Sequence, residues 1–370
     1  MLKKGILLFR VGLFTVRSLA YNKANSRAIV LDAAFKPVFW VVDKLVSVLG
    51  PAFVLLVVGL ISTVVIIYYT SILPTILEEH ILWIVIHIVV AHWLLLNISF
   101  HYFKSVFTSP GHPPKEEKLP GNVRDFLICR ICLHPKPQRT HHCSICKKCI
   151  LKMDHHCPWI NNCVGHFNHR YFILFCIYMC LGSFYVAVCS WELFMEHFFD
   201  DKKTEKDKST ETQMQEKIAV MFGRYRSYSD FEHNSIIFVF MLCSAVSLAL
   251  GFLTAWHVLL IVKGETSIEL HINKSNRIAF RKKGYVYTNP YDYGRWENWK
   301  LLLGIVNGRY EARNDCQSNY NGLLKKYNFN SRSWASVLWP SSHHPYGDGL
   351  TWKPPQKSFK ISGRRNFLPV

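Results

Sequence analysis

Residues 52–73 contain no charged side chain. A run of roughly 20 apolar residues is long enough to cross the hydrocarbon core of a bilayer as a helix. In lipid every backbone N–H and C=O must be paired within the segment, so an isolated run of this kind has the helix as its one stable form. Three further apolar runs follow, at 81–103, about 172–194 and about 236–262. Half of the residues are hydrophobic, and they come in blocks rather than at the spacing of an amphipathic soluble fold. The chain therefore reads as an α-helical polytopic membrane protein with four transmembrane helices. Polar His87, His92, Asn97 and His101 interrupt the second run. Such groups are costly at that depth unless they face neighbouring helices, so helix-to-helix hydrogen bonds are expected of them. Cys176, Cys180, Cys189 and Cys243 fall within the later spans and are expected to pack there.

Basic residues set the orientation. Residues 1–45 hold eight Lys or Arg and the loop 104–171 holds eleven, whereas the turn 74–80 has none. The loop 197–235 has seven, offset by eight acids. By the positive-inside rule both termini and the loop 104–171 face the cytosol, and 197–235 is lumenal. The net charge of +19 suits an anionic leaflet or a phosphorylated small molecule as well as nucleic acid, and charge alone does not choose. Arg10 breaks what would have to be the apolar core of a cleaved signal peptide, so 1–50 is expected to form a basic, amphipathic region on the leaflet, with a break at Pro37.

Between Cys129 and Cys163 lie seven of the twelve cysteines, spaced C-x2-C, x10-C-x2-C-x2-C, x7-C-x5-C, with His141, His142, His155 and His156 among them. Cys-x2-Cys pairs place two sulfurs on one tetrahedral ion, and a cytosolic loop keeps thiols reduced, so zinc accounts for them better than disulfides. Two closed sites need eight ligands. Seven cysteines with one histidine would use every thiol; six cysteines with two histidines leave one free. Cys157 is the natural candidate for the free thiol because it alone directly follows Asp154-His155-His156. A carboxylate that orients an imidazole, which takes the proton of a thiol, is how a cysteine nucleophile is activated.

The sequence Asp154-His155-His156-Cys157-Pro158-Trp159, followed by Asn161-Asn162-Cys163-Val164-Gly165, resembles the DHHC family of membrane protein S-acyltransferases. The resemblance extends from the first membrane hairpin to about residue 304. It implies one zinc on Cys129, Cys132, His142 and Cys149 and a second on Cys143, Cys146, His156 and Cys163, both structural, tying short β-hairpins into a small cysteine-rich domain within the cytosolic loop. It further implies Cys157 as nucleophile, His155 as general base and Asp154 as its orienting carboxylate. The reaction implied is auto-acylation from palmitoyl-CoA followed by transfer to a cytosolic cysteine of a membrane-associated client protein. Lys136, Arg139 and His141 correspond to family positions bordering the CoA head group. Ser109 stands where the family's Asp-Pro-Gly element has its aspartate, which puts that carboxylate's contact in doubt. Thr266-Ser267-Ile268-Glu269 resembles the Thr-Thr-x-Glu element, and Asn289-Pro290-Tyr291, with Gly294 and Asn298-Trp299, resembles the bracing element after it. The resemblance also implies an endoplasmic reticulum or Golgi membrane.

The expected organisation is 1–50 basic N-terminal region, 51–103 helices one and two, 104–171 cysteine-rich catalytic domain, 172–196 helix three, 197–235 lumenal loop, 236–262 helix four, and 263–370 cytosolic C-terminal region. Beyond residue 310, Pro340, Pro345, Pro354 and Pro355 suggest irregular structure with no readable task. Two other functions compete. A membrane-anchored zinc-finger adaptor would leave Cys157 inert; nucleic acid is an unsuitable partner for it, since the C-x2-C to H-x3-H finger layout is missing. A transporter would use His87 or His92, but there is no evident inverted repeat or charged midplane pair.

Overall fold

The computed structural model describes residues 27–77, 80–114, 126–200, 230–305 and 334–352. The basic residues 1–26, most of the loop 197–235 and much of the tail lie outside them. Four helices among the described residues are long and apolar enough to cross a membrane: Trp40–Ile76, Ile81–Phe107, His169–Cys189 and Phe231–Val262.

The first belongs to α1, Arg27–Ile67, which continues through a π-helical turn, Tyr68–Ile72, and a short helical turn, Leu73–Ile76. The break expected at Pro37 does not occur, and Pro51 is not a start: both prolines lie inside one helix. The apolar surroundings favour keeping backbone pairs within the helix, so the local loss at each proline is tolerated. After His80, whose Nδ1 accepts from the Leu82 amide at 3.3 Å, comes α2, Ile81–Phe107. His87 meets Tyr185 Oη at 2.6 Å and His92 meets Tyr69 Oη at 2.6 Å, so two of the polar groups in this span do link helices. Helix α3, His169–Cys189, packs between α2 and α5, Asp230–Val262. Half of its apolar window is buried, against 17% or less for the other three spans, so α3 is the bundle's central rod. A break at Ser190 leads into α4, Trp191–Asp200.

The cysteine-rich loop is three two-stranded antiparallel hairpins: β1 Leu127–Ile128 with β2 Pro135–Lys136, β3 His141–Cys143 with β4 Lys148–Ile150, and β5 His155–Cys157 with β6 Asn162–Val164. Between β5 and β6, a 3-10 turn, Pro158–Ile160, is closed by Asn161 in the left-handed region, φ 47°. The loop is fastened to the bundle by polar side chains. Asn162 Nδ2 donates to the carbonyls of Val106 and Thr108 at 3.1 and 3.0 Å, supplying partners to α2's otherwise open C-terminal end. Asn168 joins Cys163 O at 2.8 Å to Gly165 N at 2.9 Å. Ser109 turns inward on its own loop, accepting from Gly111 N at 3.3 Å, while Gly111 O accepts from Leu151 N at 3.0 Å.

Helix α1 leans on the 3-10 turn at Gly50, where an added Cβ would overlap the side chain of Asn161. The expected result for Gly50→Val is a shift of the turn that carries Trp159, at a cost of about 1–3 kcal/mol. A lower melting temperature in detergent, with zinc retained, checks it.

After α5, helix α6, Ser267–Lys282, begins with a complete capping box: Thr266 Oγ1 accepts from Glu269 N and Glu269 accepts from Thr266 N. Helix α7, Arg295–Leu303, follows, fixed by Asn298 Nδ2 to Val262 O at 3.0 Å. Residues 334–352 are ordered against the bundle. Arg170, fully buried, donates to Ser341 O at 2.8 Å and Ser336 O at 3.1 Å, while Trp93 Nε1 donates to Leu338 O at 2.9 Å. The part of the tail whose role the sequence left unread has a structural one: its backbone carbonyls are the acceptors that let Arg170, and the α2 and α3 ends around it, be buried.

Candidate active site

The β3–β4 and β5–β6 hairpins place histidines and cysteines on opposite strands, His142 opposite Cys149 and His156 opposite Cys163. Cys129, Cys132, His142 and Cys149 bring four donor atoms within 4.8 Å of one another, and so do Cys143, Cys146, His156 and Cys163. In the first cluster Cys132 Sγ is 3.1 Å from His142 Nδ1 and 3.8 Å from Cys149 Sγ; in the second Cys146 Sγ is 3.3 Å from His156 Nδ1 and 3.4 Å from Cys163 Sγ. Ligands about 2.0–2.3 Å from a tetrahedral zinc stand roughly 3.3–3.8 Å apart, so both donor sets fit that ion. Both can hold zinc, and Cys157 belongs to neither.

Asp154 and His155 enter β5 just before Cys157. Asp154 is 1% exposed, and its Oδ2 takes His155 Nδ1 at 2.6 Å. From the start of α6, Ser267 donates its amide to Oδ1 at 2.7 Å and its hydroxyl to Oδ2 at 3.1 Å. The serine that replaces the family's second threonine thus keeps the hydroxyl contact. Burial pushes the Asp154 carboxyl up, but the hydrogen bond from His155 and the surrounding imidazoles overcome it and hold the group below the usual carboxylate range. Burial pulls His155 down, yet its bond to Asp154 and the nearby Cys157 sulfur raise it to about 9. A ring held by a carboxylate on one nitrogen, two residues before a thiol on the same strand, is placed to take that thiol's proton.

Cys157 is buried and sits at one end of a cavity of about 470 Å³ between the helices. Ile160, Phe172, Met179, Tyr68, Val186 and Leu253 are among the residues that line it. Between Phe172 and Tyr185, both on its wall, α3 rises about 20 Å. Gly182 also borders it, and there an added Cβ would lie 2.6 Å from Ile98 Cδ1, so the glycine permits helix packing as well as shaping the cavity.

The three residues expected at a CoA head group do not come together as one free basic patch. Lys136 and His141 are partly exposed, on β2 and β3. Burial, with the Lys136 charge next, lowers the His141 imidazole. Arg139 is a correction: its side chain is 3% exposed and committed inside the protein. It binds both Glu269 oxygens at 2.6 Å and the Gly264 carbonyl at 3.0 Å, between the rings of Tyr291 and Trp352, each centred 4.5 Å away. Position alone made it resemble a head-group contact, but the carboxylate that claims it is 130 residues further on. Arg170, His257 and Trp352 were not marked by any local motif.

A polytopic membrane bundle, a loop with two Cys/His clusters and an uncommitted Cys157 beside an Asp154–His155 pair define a membrane-embedded cysteine acyltransferase. The family model for "DHHC palmitoyltransferase" matches residues 124–274, and the chain belongs to that family. It is 42% identical to Palmitoyltransferase ZDHHC16 of Macaca fascicularis over 359 residues and to that of Homo sapiens over 355, in each case covering 94% of this chain and 86% of the relative. It is 38% identical to Palmitoyltransferase ZDHHC16B of Danio rerio over 364 residues, covering 94% and 88%. The protein is accordingly a protein S-palmitoyltransferase.

Proposed function

We propose that Cys157 carries a long-chain acyl group from acyl-CoA to cysteines of membrane-associated client proteins in two thioester exchanges. The observation that supports this most is the position of the thiol, two residues after His155 on the same strand and opening on the apolar cavity. His155 takes the thiol proton and Asp154 keeps the ring aligned. The Cys157 thiolate attacks the acyl-CoA carbonyl, the bond to the CoA sulfur breaks, and His155 returns its proton to the departing CoA thiolate. In the second half a client thiol gives its proton to His155, its sulfur attacks the acyl-enzyme, and Cys157 leaves as thiolate. One thioester replaces another, so no other reactant is required. The cavity holds the chain, since each buried methylene contributes about 0.8 kcal/mol. Lys136 and His141 are the residues offered to the CoA phosphates. By the positive-inside rule the basic residues favour a cytosolic loop and cytosolic termini, and the family resemblance suggests an endoplasmic reticulum or Golgi membrane.

Mixing excess palmitoyl-CoA with enzyme tests the two-step scheme: a burst of about one CoA per chain precedes slow turnover. Linear release from the first moment contradicts it.

Cys129, Cys132, His142 and Cys149, and Cys143, Cys146, His156 and Cys163, would each hold a structural zinc. When bound, zinc cross-links hairpins whose strands are two or three residues long and could not fold on apolar burial alone. Chelation is expected to expose the ligand thiols to alkylation and to lower the melting temperature together with activity. Activity lost at an unchanged melting temperature would instead mark a catalytic metal.

A further inference from the structure

His257 reaches the catalytic carboxylate from α5. It is 3% exposed, and its Nδ1 lies 3.8 Å from Asp154 Oδ2 with no hydrogen-bond partner. The same carboxylate oxygen is 2.6 Å from His155 Nδ1. Donor atoms of the three residues lie within 4.8 Å of one another, and the two imidazole centroids are 5.6 Å apart. Phe172 stands edge-on to both rings, 5.2 Å from His155 and 5.3 Å from His257, walling the group on its apolar side. Two imidazoles and a carboxylate around one point suit zinc. Ligand atoms on that ion stand about 3.3 Å apart, so His155 and Asp154 need to separate by less than about 1 Å and His257 to close by about half that. A buried, unpartnered imidazole nitrogen is itself costly, and coordination would satisfy it.

We propose that Asp154, His155 and His257 form a third, reversible zinc site, distinct from the two Cys/His clusters, whose occupancy blocks the enzyme. The block rests on the reading of His155 as general base. In its neutral form, with Nδ1 protonated toward Asp154, the ring offers the Nε2 lone pair to Cys157. Zinc on Nδ1 displaces that proton to solvent, and the neutral ring then carries its proton on Nε2, which donates and cannot accept. Cys157 keeps its proton although neither the thiol nor the cavity has changed. The ion has a way in, because the His155 side chain is 32% exposed.

The test is titration with Zn²⁺, against a competing fluorescent indicator, of full-length protein carrying two zincs per chain, with acyl-enzyme formation from labelled palmitoyl-CoA followed in parallel. A third equivalent is expected on wild type and on Cys157→Ser, but not on His257→Asn or His257→Gln. Retention of two zincs by each variant reports an intact loop. Acylation of wild type is expected to fall more than tenfold at saturation, and the half-inhibiting concentration to rise at least tenfold in His257→Asn. No third equivalent on wild type overturns the site. So does one that persists in both His257 variants or disappears in Cys157→Ser, because the metal then sits on the thiol. A third equivalent that depends on His257 but leaves acylation unslowed upholds the site and removes His155 from the role of base, which separates the two failures.

Discussion

Replacing His155 by alanine is expected to slow acyl-enzyme formation by about 10²–10⁴-fold, the usual contribution of a positioned general base. The loss follows from geometry: the ring bonds Asp154 at 2.6 Å and stands two residues before Cys157 on the same strand. Asp154→Asn is expected to approach the same loss, since an amide can donate to Nδ1 and leave the wrong ring nitrogen protonated. Ser267→Ala removes one of several bonds to Asp154 and should cost less than either. Single-turnover labelling at saturating palmitoyl-CoA, with zinc content checked, measures all three. The pair also contributes to stability. His155 is raised to about 9 in the fold, so the contribution of its charged form is complete below about pH 6.5, the free imidazole value, and fades as the pH passes about 9. The melting-temperature difference between wild type and His155→Ala should narrow over that range.

The second large effect concerns the joint between the zinc loop and α6. Arg139 and Glu269 form a two-pronged pair whose side chains are 3% and 7% exposed, and Glu269 also accepts from Thr266 N at 2.9 Å to cap the helix. Removing one member strands a buried charge, so Glu269→Ala or Arg139→Met should each cost about 3–5 kcal/mol. Replacing both, as Arg139→Met with Glu269→Leu, should recover much of that loss, because two apolar side chains leave no charge unpaired. Thermal melting of the three variants checks this. Activity should follow stability, since Ser267, which holds Asp154, lies two residues before Glu269 on the same helix turn.

The spans and the cysteine loop were legible in the sequence because each is governed by a local rule. A charge-free run such as 52–73 must be helical in lipid, and Cys-x2-Cys spacing is set by the size of one ion. Asp154, His155 and Cys157 stand together in the chain, so their meeting in space needed no knowledge of the fold. The distant partners were not legible. Arg139 looked like a free cation because Glu269, Tyr291 and Trp352 each lie more than a hundred residues away. His257 belongs to no motif, and only the packing of α5 behind Asp154 brings the two together. Residues 334–352 carry proline and no periodicity, yet they are fixed through backbone carbonyls given to Arg170 and Trp93, which composition cannot reveal. Pro37 misled in the other direction, as a rule for helix breaking in water was applied to a helix continuous with a membrane span.

The central claim is that Cys157, alone among the clustered cysteines, is free to carry the acyl group. Its most direct test is incubation of the purified protein in detergent with labelled palmitoyl-CoA, comparing wild type with Cys157→Ser, each carrying two zincs, before and after hydroxylamine. Label on wild type that hydroxylamine removes, and none on Cys157→Ser, is the predicted result. Equal label on both proteins would contradict it and move the acyl group to another residue.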